Sequence, residues 1–456
     1  MTVETINSES LQAADARHLL HPLHNSANKP RILVRGQGSL MWDSEGREYI
    51  DGLSGLWNVN VGHGRVELAN AAQQQMSTLA FASNYAGQSN PPAIQLAERL
   101  AKMSYPNLNT TFFTSGGAES NESAFKTVRY YWIRKGKPEK MKIISRQHGY
   151  HGVTMAAMTA TGISTYQPMF GPAAPGFAQI EAPFLFRCPP GTDVTTWPPA
   201  TGEALEKKIL EEGPDTVAAF IAEPVMGAGG VIVAPDNYFK NIRAICDKYN
   251  ILFIADEVIT GFGRTGKTFA LEHYGVQPDI MSFAKGITSG YIPLGGIMVS
   301  DDIADTIRSG TGAQAWMHAY TYSGHPTCCA VGMANLDVFE KEHLVERAAE
   351  TGAYMLSKLT ELNALPHCDG ARGLGMMAAI ELVEDKSTRK GFPAARGVSA
   401  KAVALASGKG LITRQRHYGA GEMIMLAPPL VTTKVQIDKI ISILAESIPA
   451  AIAATA

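Results

Sequence analysis

Two apolar patterns run along the chain and divide it. In the longer N-terminal part, short runs without polar alternation recur, each closed by a polar or glycine-bearing turn: VAAFIAEP (217–224), ILFIADEV (251–258), DIMSFAKG (279–286) and GGIMVS (295–300). Runs this short and uniform predict strands covered on both faces by helices, as in a mostly parallel sheet. Ile94, Leu96, Ala97, Leu100 and Ala101 recur at helical spacing and predict a helix over 91–102, with others over 119–134 and around 238–249. The stretch 31–55 differs, because its apolar triplets are separated by Gly, Ser and Asp, a hairpin signature. After Ser323 long helices are expected over 327–340 and 343–362, then the strands MMAAIELV and EMIMLAPPL and a closing helix after Thr433. The fold class is therefore α/β, a large unit with a mostly parallel sheet followed by a smaller α+β unit. The expected division is 1–60 as a segment joining the small unit, 61–325 as the large domain and 326–456 as the small one.

Composition narrows the function classes. The chain has 456 residues, 45% hydrophobic and 18% charged, which is ordinary for a globular protein and far from a disordered profile. A net charge of −2 offers no cationic field for a phosphate backbone, so nucleic acid is not an expected partner. Five cysteines, with Cys328 and Cys329 adjacent, do not form a disulfide framework and suit a reducing cytoplasm. Glu4, Glu9 and Asp15 in the first 15 residues do not read as a secretion signal, and no run reaches the length of a membrane span.

Four pieces of sequence carry chemistry. Thr114-Ser115-Gly116-Gly117-Ala118-Glu119 runs from a strand end through two glycines into a helix, where unpaired amides at the positive end of the dipole can hold an anion; an ordinary tight turn has the same residues. Asp256 closes the apolar run ILFIA at the sheet edge where open α/β folds bind ligands, and a desolvated carboxylate there wants a cation, a protonated heterocycle or a salt bridge. Lys285 follows another apolar run, and desolvation turns an ammonium into a usable amine nucleophile. Gly149-Tyr150-His151-Gly152 places a ring and an imidazole after the strand KIISR, fit to cover a flat ligand or simply to pack. No His or Cys pair stands at zinc spacing. An anion seat, an acid, an amine and an aromatic face together describe a site for pyridoxal phosphate, whose protonated ring is an electron sink.

The motifs FFTSGGAESNESA, HGYHG, EPVMGAGG, DEVITGFGRTG, SFAKGI, IPLGG and TYSGHP, in this order over essentially the whole chain, resemble those of the class III aminotransferases of fold type I. The resemblance implies a seven-stranded large-domain sheet and pyridoxal 5′-phosphate as cofactor. It implies that Lys285 forms the Schiff base, Asp256 pairs with the pyridine nitrogen, Tyr150 stacks on the ring and Val258 covers its other face. It further implies that Gly116, Gly117 and Ala118 bind the phosphate, that Glu223 lies near the phenolic side, and that Thr321 reaches the phosphate of a neighbouring subunit in a homodimer or tetramer. Where many relatives read Ser-Gly-Ser, this chain reads Gly116-Gly117-Ala118, so two hydroxyls are missing from the phosphate seat.

Within the family, Gly55-Leu56-Trp57-Asn58-Val59-Asn60 and Leu411-Ile412-Thr413-Arg414 resemble the subset that passes amino groups from amines and ω-amino acids to pyruvate. Trp57 and Tyr85 are expected to line the substrate pocket. Arg414 is expected to be a mobile arginine that forks onto a carboxylate, with Arg416 able to share or take that role. The resemblance implies ping-pong transamination; a decarboxylase or aminomutase of the same fold is the alternative. A dinucleotide-dependent dehydrogenase is disfavoured because no Gly-x-Gly-x-x-Gly with a following acid occurs in a βαβ context, and a non-catalytic scaffold is the remaining rival.

Overall fold

The computed structural model describes residues 8–23, 29–85, 87–418 and 421–456; Glu4 of the acidic N-terminal stretch lies outside them. Its centre is a seven-stranded sheet built from β1 (Leu108–Thr114), β2 (Lys142–Arg146), β3 (Phe177–Ile180), β4 (Val217–Ala222), β5 (Leu252–Asp256), β6 (Ile280–Phe283) and β7 (Gly295–Ser300). The spatial order is β1-β7-β6-β5-β4-β2-β3. Strand β7 pairs antiparallel with both β1 and β6, while the β6–β5, β5–β4, β4–β2 and β2–β3 pairs are parallel.

The uninterrupted apolar runs have a direct cause. On one face Ile221, Ile254, Ile280 and Ile297 pack with Ala124, Phe125 and Val128 of the helix Gly117–Arg134. On the other, Phe220, Phe253 and Met281 share a core with Phe239 and Ile242 of the helix Tyr238–Lys248 and with Leu96 and Leu100 of the helix Pro91–Met103. Adjacent strand residues point to opposite faces, so both sets must be apolar.

Further on come the helices Pro326–Lys341 and Leu344–Glu361 and a second sheet of β8 (Cys368–Gly373), β9 (Ala378–Asp385), β10 (Arg414–Tyr418) and β11 (Gly421–Leu426), ordered β8-β9-β11-β10. Thr433 caps the closing helix Lys434–Ala454 in a reciprocal box with Gln436. The stretch 31–55 forms three antiparallel strands, Leu33–Gln37, Leu40–Asp43 and Glu48–Asp51, and Leu411–Ile412 pairs parallel with the third. Among the described residues no helix is long and apolar enough to cross a membrane.

Candidate active site

The site forms where β1, β2, β4, β5 and β6 end. Strand register does the first part of the work. Ala255 pairs with Ala222, so the next residues, Asp256 and Glu223, emerge side by side; Asp256 pairs with Ser282, three positions before Lys285. A cavity of ≈ 180 Å³ at this edge is bounded by Gly117 and Ala118, by Tyr150 and by Asp256, Val258 and Lys285. It also touches Glu223 and His151.

Asp256 is buried, and its charge is met by three donors. Asn121 Nδ2 donates to Oδ2 at 2.8 Å and His151 Nδ1 stands 2.7 Å from the same oxygen. Oδ1 accepts the Val258 amide at 3.1 Å. Asn121 also donates to the His151 carbonyl at 2.7 Å, which locks the two partners together. His151 Nε2 is buried and has no hydrogen-bond partner among the described residues.

Lys285 has left-handed backbone (φ 46°), a strained conformation for a non-glycine residue of the kind that clusters at functional sites. Burial pushes its ammonium down to about 8, against the opposing pull of the Asp256 and Glu223 carboxylates, while Arg414 adds to the fall. Glu223 is fully enclosed and burial raises its carboxyl; His151 draws it the other way, as do the Tyr150 and Gly227 amides, each 2.9 Å from one of its oxygens.

At the anion seat, Gly116 is extended and opens the helix that starts at Gly117. A side chain on Gly117 would stand 2.7 Å from Val258 Cγ1, whereas one on Gly116 would project into open space. The Glu119 carboxylate turns back to accept the Ser115 amide at 2.8 Å.

Lys285 and Tyr150 also border an outer chamber of ≈ 460 Å³ walled by Trp57, Tyr166, Ile259 and Arg414. Trp57 is buried, has φ 64°, and among the described residues its indole N–H has no partner. Arg414 lies on the wall between this chamber and an adjoining cavity of ≈ 340 Å³, which contains Arg416.

Within one chain the structure does not bring Tyr85 or Thr321 to this place. Tyr85 lines a separate cavity with Phe112, Trp316 and Tyr320, and Thr321 is exposed in the adjoining segment. Asn121 was not singled out from sequence, although it lies one helical turn beyond Gly117 and so shares the face of the anion seat. Tyr166, which tilts against Tyr150 with ring centroids 5.6 Å apart, carried no sequence signal.

The model of the family "Aminotransferase class-III" matches residues 23–448. The putrescine–pyruvate aminotransferase of Pseudomonas aeruginosa is 42% identical over 419 residues, 91% of this chain and 89% of that protein. Among solved structures, an (S)-enantioselective omega-transaminase from Thermomicrobium roseum superposes with a TM-score of 0.93 at 48% identity, covering 99% of this chain and 100% of that one. An omega transaminase from Pseudomonas jessenii in complex with PMP gives 0.92 at 38% identity, with 97% and 98% covered. The chain thus belongs to the class-III aminotransferases, a family of pyridoxal-phosphate-dependent enzymes.

Proposed function

We propose that this aminotransferase moves an amino group from a primary amine or ω-amino acid to pyruvate or a similar 2-oxo acid, with pyridoxal 5′-phosphate held in the inner cavity. The carrying observation is that the Lys285 amine and the Asp256 carboxylate border one cavity. The relatives named as a pyruvate aminotransferase and as an omega-transaminase support pyruvate as acceptor and transfer from an amine.

The residues present fit the cofactor. Asp256 Oδ2 is occupied by Asn121 and His151, which leaves Oδ1, carrying the Val258 amide, to take a pyridine N–H. Tyr150 and Val258 would cover the two ring faces, and the amides of Gly116, Gly117 and Ala118 at the helix start would hold the phosphate. The space beside Gly116 is what that seat requires. Glu223 would stand toward the phenolic oxygen. When bound, the cofactor supplies an aldehyde to join the donor nitrogen and an electron sink for the carbanion.

The chain's own residues do the rest. With its ammonium pushed down to about 8, Lys285 can hold and return a proton at the substrate carbon near neutral pH. Trp57, Tyr166 and Ile259 keep water from that carbon. Arg414 binds the carboxylate of the oxo acid or ω-amino acid by a two-pronged contact. Because it also borders the adjoining cavity, it can turn there when the donor is an uncharged alkyl or aryl amine.

Thr321 supports a homodimer. It is exposed in a segment that also exposes large apolar side chains, Met317 at 87% and Tyr322 at 60%. A second copy packed on this segment would let Thr321 reach the phosphate of the neighbouring site.

Alanine formed from pyruvate and an amine by purified, cofactor-loaded protein tests the reaction, and parallel initial-rate lines test its ping-pong order. Release of CO₂ from an amino acid without alanine formation would overturn it in favour of a decarboxylase.

A further inference from the structure

Three of the four residues 54–57 have left-handed backbone, Ser54 at φ 49°, Gly55 at 63° and Trp57 at 64°. Strain of this kind persists only where the surroundings over-determine it, and this turn sets Trp57 into the wall of the outer chamber. Asp51 holds the turn from within, taking the Leu53 amide at 3.1 Å and the Gly55 amide at 2.7 Å. Arg264, fully buried, holds it from outside. Its Nη2 donates to Ser54 Oγ at 2.9 Å and to Asn60 Oδ1 at 2.5 Å, so one nitrogen grips both ends of the segment. Its Nη1 donates to the carbonyls of Met376, just before β9, at 3.3 Å and of Pro428, just after β11, at 2.5 Å. Ser54 Oγ donates in turn to the Ala427 carbonyl at 2.6 Å.

None of these acceptors is charged. Burial pushes the guanidinium down to about 9 against the pull of the Asp51 carboxylate. A cation taken out of water without an acid in contact costs folding free energy, so stability alone does not account for Arg264. Nor does it border the outer chamber or the inner cavity. We propose that Arg264 is a positioning residue for the donor pocket: by holding Ser54 and Asn60 against the end of β11 it fixes the place of Trp57 and so the room left for the donor's side chain. The inference rests on the reading of the outer chamber as the donor pocket.

The test titrates 4-phenylbutanoate, which has no amine to react, into the cofactor-loaded enzyme by calorimetry, and compares 4-phenylbutylamine with propylamine as donors to pyruvate. Arg264→Lys keeps the charge, but a single ammonium cannot span the four acceptors. Ser54→Ala cuts the link from the other end and leaves Arg264 its remaining three. Each variant is expected to weaken 4-phenylbutanoate about tenfold, within the range that one pocket contact commands. The ratio of kcat/KM for 4-phenylbutylamine to that for propylamine should fall by about the same factor, through KM, because a three-carbon donor fills little of the ≈ 460 Å³ chamber. In a Trp57→Ala background Ser54→Ala should weaken 4-phenylbutanoate no further, since changes acting through one contact do not add. An equal loss with and without Trp57, or an unchanged donor ratio, would make these contacts a general prop of the fold and overturn the proposal, as would undiminished 4-phenylbutanoate binding. If Arg264→Lys does not fold, Ser54→Ala decides alone. The expected binding losses without turnover of any donor would leave the role of Arg264 standing and sink the transaminase reading instead.

Discussion

His151 Nδ1 lies 2.7 Å from Asp256 Oδ2, with both side chains buried. The contact fixes which carboxylate oxygen remains available, because Oδ2 also takes the Asn121 amide while Oδ1 carries only a backbone N–H among the described residues. The two donors on Oδ2 also fix the plane of the carboxylate, which sets the direction in which Oδ1 can meet a ring nitrogen. His151 is accordingly a positioning residue.

Replacing His151 removes one hydrogen bond to a charged group, an effect of about 1.5–3 kcal/mol. His151→Ala is therefore expected to weaken retention of pyridoxal phosphate by roughly tenfold to a hundredfold, with His151→Asn, which keeps a donor, recovering part of it. Dialysis followed by absorbance of the retained cofactor measures this. Equal losses in the two variants would reduce His151 to packing.

Lys285 gives a pH dependence with a defined sign. An amine attacks only when neutral, and burial has moved the folded-state value from the ordinary 10.5 to about 8. Uptake of pyridoxal phosphate by the apoprotein should accelerate as pH rises from 6 and level off above about 9, with its midpoint near 8. A midpoint near the ordinary lysine value would contradict the desolvated environment. Lys285→Ala should lower transamination by about 10²–10⁴-fold, the usual reach of a general acid–base group, while Lys140, also near 8 but tied to the carbonyls of Val217, Tyr249 and Asn250, should leave the uptake profile unchanged when replaced.

The two glycines of the anion seat separate fold from ligand. On Gly117 a methyl would press on Val258 Cγ1 at 2.7 Å, an overpacking that costs about 1–3 kcal/mol, so Gly117→Ala should lower both the melting temperature of the apoprotein and its cofactor affinity. Gly116 is extended with free space beside it. Gly116→Ala should leave the apoprotein melting temperature in place and lower cofactor affinity alone. Thermal melts with and without added pyridoxal phosphate distinguish the cases, and parallel behaviour of the two variants would refute a phosphate beside Gly116.

Much of this arrangement was legible because its causes are local. Strands β4, β5 and β6 are buried on both faces, so their apolar runs stand out, and the catalytic candidates follow directly where those runs stop. Edge strands escaped. Both β8 (CDGARG) and β10 (RQRHY) lie at the margins of the small sheet and carry polar residues that erase strand periodicity; the strand under Arg414 was therefore not anticipated. The His151 to Asp256 contact joins residues 105 positions apart, and no local pattern encodes that. Tyr85 and Thr321 illustrate the reverse, since their residue types were readable while a single chain does not bring them to Lys285.

The outer chamber finally predicts how the enzyme ranks donors. Its walls include Trp57, Met158, Tyr166 and Ile259 with two basic side chains, Lys285 and Arg414, and among the described residues no carboxylate. The second ammonium of a diamine would lose water there without gaining a partner, and would meet a like charge. An unpaired buried polar group costs about 1–3 kcal/mol, and a charged one more, so kcat/KM for 1,6-diaminohexane should fall at least about tenfold below that for hexylamine. Met155, which borders the chamber, is 58% exposed and opens the helix Met155–Ala160. Met155→Glu puts an acid at that wall without crowding the core, and a helix start tolerates it. It should narrow the gap between the two donors. A wild type that prefers the diamine would show that the second ammonium finds an acid these walls do not contain, and the assignment of this chamber as the donor pocket would fall.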